Sequence, residues 1–132
     1  KESLYLEYHF HQAGMTGGMW RDWFAYGAPA QYPALMWYVR GYADAMEQPA
    51  SRHRIFLRFN RDDLWWTDFS AGIVAFANPR DGSAMAQGYA SYDLNDRWSL
   101  AAYAGGDFGG KRTEWGSLPS ATGFSFRLAR YL

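Results

Sequence analysis

Ala121-Thr122-Gly123-Phe124-Ser125-Phe126-Arg127-Leu128-Ala129-Arg130-Tyr131-Leu132 closes the chain. Read with a period of two, Phe124, Phe126, Leu128 and Leu132 share one side, and Gly123, Ser125, Arg127 and Ala129 share the other. Side chains alternate in this way across a β-strand, so the stretch predicts a strand with one apolar face that runs to the last residue. Arg130 falls on the apolar side, where a long stem lets a charged head reach water. Soluble domains usually end in a loose tail, and this ending is unlike one.

The same alternation recurs upstream. In Ser3 to Gln12, Leu4, Leu6, Tyr8 and Phe10 oppose Tyr5, Glu7, His9 and His11. In Arg52 to Asn60, Ile55, Leu57 and Phe59 oppose Arg52, Arg54, Arg58 and Asn60, with Phe56 among the latter. Thr67 to Ala77 places Phe69, Ala71, Ile73 and Ala75 together. Ser83 to Asp93 sets Ala84, Ala86, Ala90 and Tyr92 against Gln87, Tyr89, Ser91 and Asp93. Arg97 to Phe108 sets Trp98, Leu100, Ala102 and Ala104 against Ser99, Tyr103 and Asp107. Asn78-Pro79-Arg80-Asp81-Gly82 and Asn95-Asp96 carry the residues of tight turns. Gly109 to Ser120 reads as a glycine-rich loop.

Two stretches are ambiguous. Ala13 to Pro33 is irregular, and the spacing of Trp20, Trp23, Phe24 and Gly27 predicts a short helix over Gly18 to Tyr26, with a strand as the alternative. Ala34 to Met46 fits both periods. Its side of Tyr38, Arg40, Tyr42 and Asp44 favours a strand. The count is then seven strands, or eight with the segment around Met19 to Tyr26. Most are ~10 residues long, the length that crosses a bilayer as a tilted strand.

Composition points the same way. The 132 residues are 20% aromatic, with 7 Trp, 10 Tyr and 14 Gly, yet no cysteine. Mean hydropathy is −0.42. No run approaches the ~18 apolar residues of a membrane helix. Aromatic- and glycine-rich strands without a spanning helix fit a transmembrane barrel with aromatic girdles. Thirteen basic and 13 acidic residues balance. No global field therefore attracts nucleic acid, and no basic-aromatic array or phosphate loop is present. Missing cysteine excludes disulfides and thiolate metal sites. No secretory leader is visible, so Lys1 is expected to follow a processing site or to lie within a longer polypeptide.

Three stretches carry a likeness to a known family. They are Asp81-Gly82-Ser83 followed by Ala90-Ser91-Tyr92-Asp93-Leu94-Asn95-Asp96-Arg97-Trp98-Ser99-Leu100, then Gly109-Gly110-Lys111-Arg112-Thr113-Glu114-Trp115-Gly116-Ser117-Leu118-Pro119, and the terminal Leu128-Ala129-Arg130-Tyr131-Leu132. From Arg52 onward the chain resembles the C-terminal part of uncharacterised, porin-like outer-membrane β-barrel proteins of Gram-negative bacteria. Leu4-Tyr5-Leu6-Glu7-Tyr8-His9-Phe10 is similar to a strand further upstream in such proteins. They usually end in Phe, where this chain has Leu132. The resemblance implies an all-β, antiparallel up-and-down transmembrane barrel in the bacterial outer membrane. This chain would then be the C-terminal portion of a larger barrel, or a smaller complete one.

The expected function is a porin-like passive channel for small solutes. The alternatives are a non-transporting membrane anchor, or a subunit of an envelope complex or homo-oligomer, and a soluble β-domain binding an apolar ligand. The lumen-facing polar candidates are Glu7, His9, His11, Arg40, Arg52, Arg54, Arg58, Asp68, Asp93, Asp107 and Arg127. The lipid-facing candidates are Leu4, Leu6, Ile55, Leu57, Phe59, Phe69, Ile73, Leu100, Phe124, Phe126, Leu128 and Leu132. The arginines either form a basic ladder that favours anionic solutes or pair with Glu7, Asp44, Asp68, Asp93 and Asp107. Glu7, His9 and His11 alternate on one strand face, where i, i+2 positions lie ~6.5–7 Å apart, too far to converge well on a metal. No Gly-x-Ser-x-Gly motif supports the pairing of His11 with Ser83 as an enzyme. No catalytic residue, metal or cofactor is expected.

Overall fold

The structure is a computed structural model that describes residues 1–27, 38, 41–43, 45–46, 48–118 and 122–131. Six antiparallel strands form one sheet in chain order: β1 (Glu2–Phe10), β2 (His53–Arg61), β3 (Phe69–Asn78), β4 (Ser83–Asn95), β5 (Trp98–Phe108) and β6 (Thr122–Arg130). It is an all-β, up-and-down sheet, and each strand pairs with its sequence neighbour. The sheet is not closed into a barrel. β1 and β6 are not paired with each other, and among the described residues the strands number six rather than seven or eight.

The missing strand is the one expected over Ala34 to Met46. Its described residues Tyr38, Gly41, Tyr42, Ala43 and Ala45 are helical, and the Met46 amide donates to the Tyr42 carbonyl at 3.1 Å. Tyr38, Tyr42 and Met46 stand four apart, so a face that alternates also satisfies the helical period. A strand needs a partner for its ladder, whereas a helix bonds within itself. Upstream, α1 (Gly17–Asp22) begins at Thr16, whose side-chain oxygen accepts the Met19 amide at 3.1 Å as an N-cap. A π-helical turn, Trp23–Gly27, follows it. Among the described residues no helix is long and apolar enough to cross a membrane, which says nothing of strands.

Turn chemistry sets the register. Between β2 and β3, Asp63 and Asp68 take positive φ angles of 54° and 68°, a conformation that Asp tolerates. The Asp68 amide donates to Asp63 Oδ1. Between β3 and β4 the Gly82 amide donates to the Asn78 carbonyl at 3.0 Å. At the β4–β5 hairpin Asn95 Oδ1 accepts the Arg97 amide at 3.0 Å. The β2–β3 and β4–β5 connections lie at one end of the sheet. The described residues that follow β1 and precede β2, and those of the β5–β6 loop, lie at the other, which we call the loop end.

Register carries each row of side chains across the sheet. Leu4 opposes Phe59, which opposes Ile73, then Gly88, Ala104 and Phe124. That row and its neighbours make one face almost wholly apolar, with Phe and Leu on the outer strands and Ala and Gly between. The opposite face carries Glu7, Phe56, Phe76, Met85 and Asp107 in one such row.

Burial does not follow side-chain polarity. Phe124, Phe126 and Leu6 are 80%, 72% and 71% exposed, whereas the largest fully buried side chains are Glu114, Asn78, Ser51 and Ser83. Among the described residues only Trp20 and Ala101 are buried apolar side chains.

Candidate functional site: a polar knot on the polar face

The buried polar side chains form one connected group at the loop end. It begins with Trp20, on the buried side of α1, whose Nε1 donates to Ser51 Oγ at 2.8 Å. Ser51 Oγ in turn donates to Glu114 Oε2. Asn78 Nδ2, from the last residue of β3, lies 2.9 Å from both Ser51 Oγ and Glu114 Oε2. Asn78 Oδ1 accepts the Arg80 amide at 2.9 Å, so both ends of its amide are engaged. A carboxylate can be held away from water only when such donors replace its hydration.

A second carboxylate fixes the loop that delivers Glu114. Asp81 Oδ1 accepts from the Ser83 amide at 2.9 Å and from Ser83 Oγ at 2.6 Å, and Asp81 Oδ2 accepts the Glu114 amide at 2.8 Å. The Trp115 amide donates to Ser83 Oγ at 3.3 Å. The loop's own turn is closed by Thr113, whose hydroxyl donates to the Gly110 carbonyl at 2.7 Å and accepts the Gly116 amide at 3.2 Å.

Two close backbone approaches demand glycine. A Cβ on Gly14 would sit 2.7 Å from the Arg52 amide nitrogen and the Ser51 carbonyl carbon, where the chain leaving β1 crosses the chain approaching β2. A Cβ on Gly116 would overlap the backbone of Gly109 and Gly110.

The loop therefore lies over the polar face instead of extending away from it. Trp115 stacks on Phe76 with centroids 6.5 Å apart, Phe76 packs on Phe56 at 5.1 Å, and the Arg54 guanidinium sits 5.3 Å from the Phe76 centroid. The arrangement joins four chain segments at one edge of the polar face.

The residues singled out by alternation divide between the two faces. Leu4, Leu6, Ile55, Leu57, Phe59, Phe69, Ile73, Leu100, Phe124, Phe126 and Leu128 share the apolar face through the strand register. Glu7, His9, Arg54, Arg58, Asp93, Asp107 and Arg127 share the other. Leu132 and Arg40 lie outside the described residues, as does Asp44.

Three residues sit off the strands. Arg52 immediately precedes β2 and His11 immediately follows β1. Asp68 occupies the positive-φ turn before β3 and is exposed, so it is not one of the polar-face strand positions, because β3 begins at Phe69, two residues later than alternation suggests.

The polar face is not a run of unopposed cations. His9 Nε2 lies 2.8 Å from Glu7 Oε2. Arg127 lies over Tyr103 at 5.8 Å, and Asp93 and Asp107 stand on β4 and β5. His11 does not join Glu7 and His9. Its Nδ1 is buried without a partner. No group of three His, Asp or Glu residues among the described residues is placed to hold a metal ion.

Alternation missed Trp20, Ser51, Asn78 and Glu114. They come from α1, the chain approaching β2, the last residue of β3 and the β5–β6 loop, and the hydrogen-bonded pair Ser51 and Glu114 alone stands 63 positions apart. The one local signal was compositional: Gly109 to Ser120 and Asn78 to Gly82 are rich in residues that turn the chain. The chain matches no protein-family model, no curated protein and no solved structure.

Proposed function

We propose that this sheet is wall of a porin-like outer-membrane β-barrel that passes small solutes passively. Its apolar face is set against lipid and its polar face lines the lumen. One observation carries the reading: large apolar side chains cover an exposed face while Glu114, Asn78, Ser51 and Ser83 are the groups withdrawn from solvent. In water that distribution forfeits about 1.5–3 kcal/mol for each Leu or Phe left uncovered. In hydrocarbon the same face is solvated.

The dimensions agree. Strands of 9 to 13 residues match the ~9–11 that cross a bilayer at a tilt. Trp65, Trp66 and Phe69 cluster at the short-turn end, with centroids 5.6 to 6.1 Å apart, where an interfacial girdle belongs. Arg130 caps Trp98 at 5.7 Å at the same end. Unpaired backbone groups are costly in lipid, so the free edges of β1 and β6 must pair in the membrane, with each other or with further strands.

Reconstitution into planar bilayers tests the function. Discrete conductance steps are expected, and a folded but silent protein removes the channel. The non-transporting anchor is then favoured, and the loop lying over the inner face is the observation on its side. A chain that stays monodisperse in water without detergent removes the membrane reading altogether.

A further inference from the structure

Beside the knot, at the loop end, lies a cavity of about 630 Å3. It is framed by α1, the chain approaching β2, the β3–β4 turn and the β5–β6 loop. Arg21, Arg52, Arg80 and Arg112 line it, one from each segment. Asp81 is the one carboxylate among its described lining residues, and both its oxygens are already engaged by Ser83 and the Glu114 amide. None of the four arginines forms an ion pair with a carboxylate among the described residues.

Arg21, Arg80 and Arg112 are exposed and Arg52 is half-buried, so four positive side chains from separate segments border one cavity with no free carboxylate among its described lining residues, a setting that favours an anion. Arg52 adds a second sign. Its Nε is buried and has no hydrogen-bond partner. A buried donor left unpaired costs about 1–3 kcal/mol, and an acceptor bound in the cavity removes that cost.

The other polar side-chain groups there, His53 Nε2 apart, are committed. Thr16 Oγ1 caps α1 and Thr113 Oγ1 closes its own turn. His53 Nδ1 is held by the Tyr8 hydroxyl. What the cavity presents to a ligand is therefore charged N–H donors. Guanidinium forks match the oxygens of a phosphoryl group bidentately, and several forks suit a group with more than one negative charge. The volume lies within the ~300–1,000 Å3 of small-molecule sites, which leaves room for a solute larger than the anion itself.

We infer that this cavity binds the phosphoryl group of a small phosphorylated solute or of a phosphorylated lipid headgroup. The inference does not rest on the channel reading, because the pocket is built from the loop-end segments and not from the lumen face of the strands.

The test is calorimetric titration of the folded protein, in detergent if it requires it, with two probes. Inorganic phosphate represents the soluble source. Phosphatidic acid in mixed micelles, against phosphatidylcholine, represents the headgroup. Saturable binding of either probe is expected, and which one binds identifies the source. Arg52→Gln and Arg112→Gln should each weaken binding by about tenfold or more, the loss of a charge-assisted hydrogen bond, while Arg97→Gln at the β4–β5 hairpin, at the opposite end of the sheet, leaves it unchanged. Arg112 is exposed on its loop, so its variant tests the site even if Arg52→Gln fails to fold. Absence of binding by both probes, or binding that Arg112→Gln leaves untouched, overturns the assignment. A protein that binds phosphate but is silent in bilayers loses its channel reading and keeps this site.

Discussion

Replacing Glu114 with alanine should release the β5–β6 loop from the inner face. The side chain is 2% exposed, and its Oε2 accepts hydrogen bonds from Ser51 Oγ and Asn78 Nδ2. Each bond to a charged acceptor contributes about 1.5–3 kcal/mol, so losing two gives about 3–6 kcal/mol. Part of that is recovered, because a buried charge no longer has to be desolvated. A net loss of about 2–4 kcal/mol is expected, concentrated at the loop end. Glu114→Gln keeps the volume and one acceptor oxygen and should cost about 1 kcal/mol.

Two assays read the outcome separately. Denaturant unfolding followed by tryptophan fluorescence reports on the folded state through all seven tryptophans, Trp20 and Trp115 beside the knot among them. Trypsin at Lys111 and Arg112, both exposed, reports on the loop itself. Glu114→Ala should lower the unfolding midpoint and speed cleavage there, and in bilayers it should enlarge or destabilise the conductance. An unfolding free energy within about 0.5 kcal/mol of the parent, the range of an ordinary surface change, together with an unchanged cleavage rate, would refute the view that the knot holds the loop in place.

Other substitutions probe the remaining claims. Phe126→Arg, midway along β6 on the apolar face, should cost about 2–4 kcal/mol if that face meets hydrocarbon. If it meets water the change should be near neutral, and urea titration in lipid vesicles separates the two results. Gly116→Ala places a methyl group inside the Gly109–Gly110 backbone and should cost about 1–3 kcal/mol while leaving the strands folded, as circular dichroism with loop proteolysis would show. Trp20→Phe removes the donor to Ser51 and leaves the aromatic volume, so a loss of about 1 kcal/mol is expected, read as a lowered thermal midpoint.

The division of the strands into an apolar and a polar face was readable because it is local. Leu4 and Leu6, or Phe124 and Phe126, are two positions apart, and strand geometry alone turns them the same way. The Asn78 to Gly82 and Asn95-Asp96 turns were readable because their residues carry their own backbone preferences. Ala34 to Met46 was misread because Tyr38 and Tyr42 satisfy both periods, and only the availability of a partner strand separates the two outcomes. Glu114 gave no sign of burial. A charged residue in a glycine-rich loop looks solvated until Ser51 and Asn78 arrive to take the place of water.

By itself, then, the amino-acid order determined which residues share a face and where the chain turns, since both follow from period-two geometry and short-range steric rules. Tertiary structure alone decided the strand total, the open edges of β1 and β6, the fold-back of the β5–β6 loop onto Phe76, and the meeting of Arg21, Arg52, Arg80 and Arg112 around one cavity. Those features depend on segments far apart in the chain, as Ser51 and Glu114 are at a separation of 63, and no local rule specifies such a meeting. It follows from the register of the whole sheet and from the need of each withdrawn polar group to find a partner.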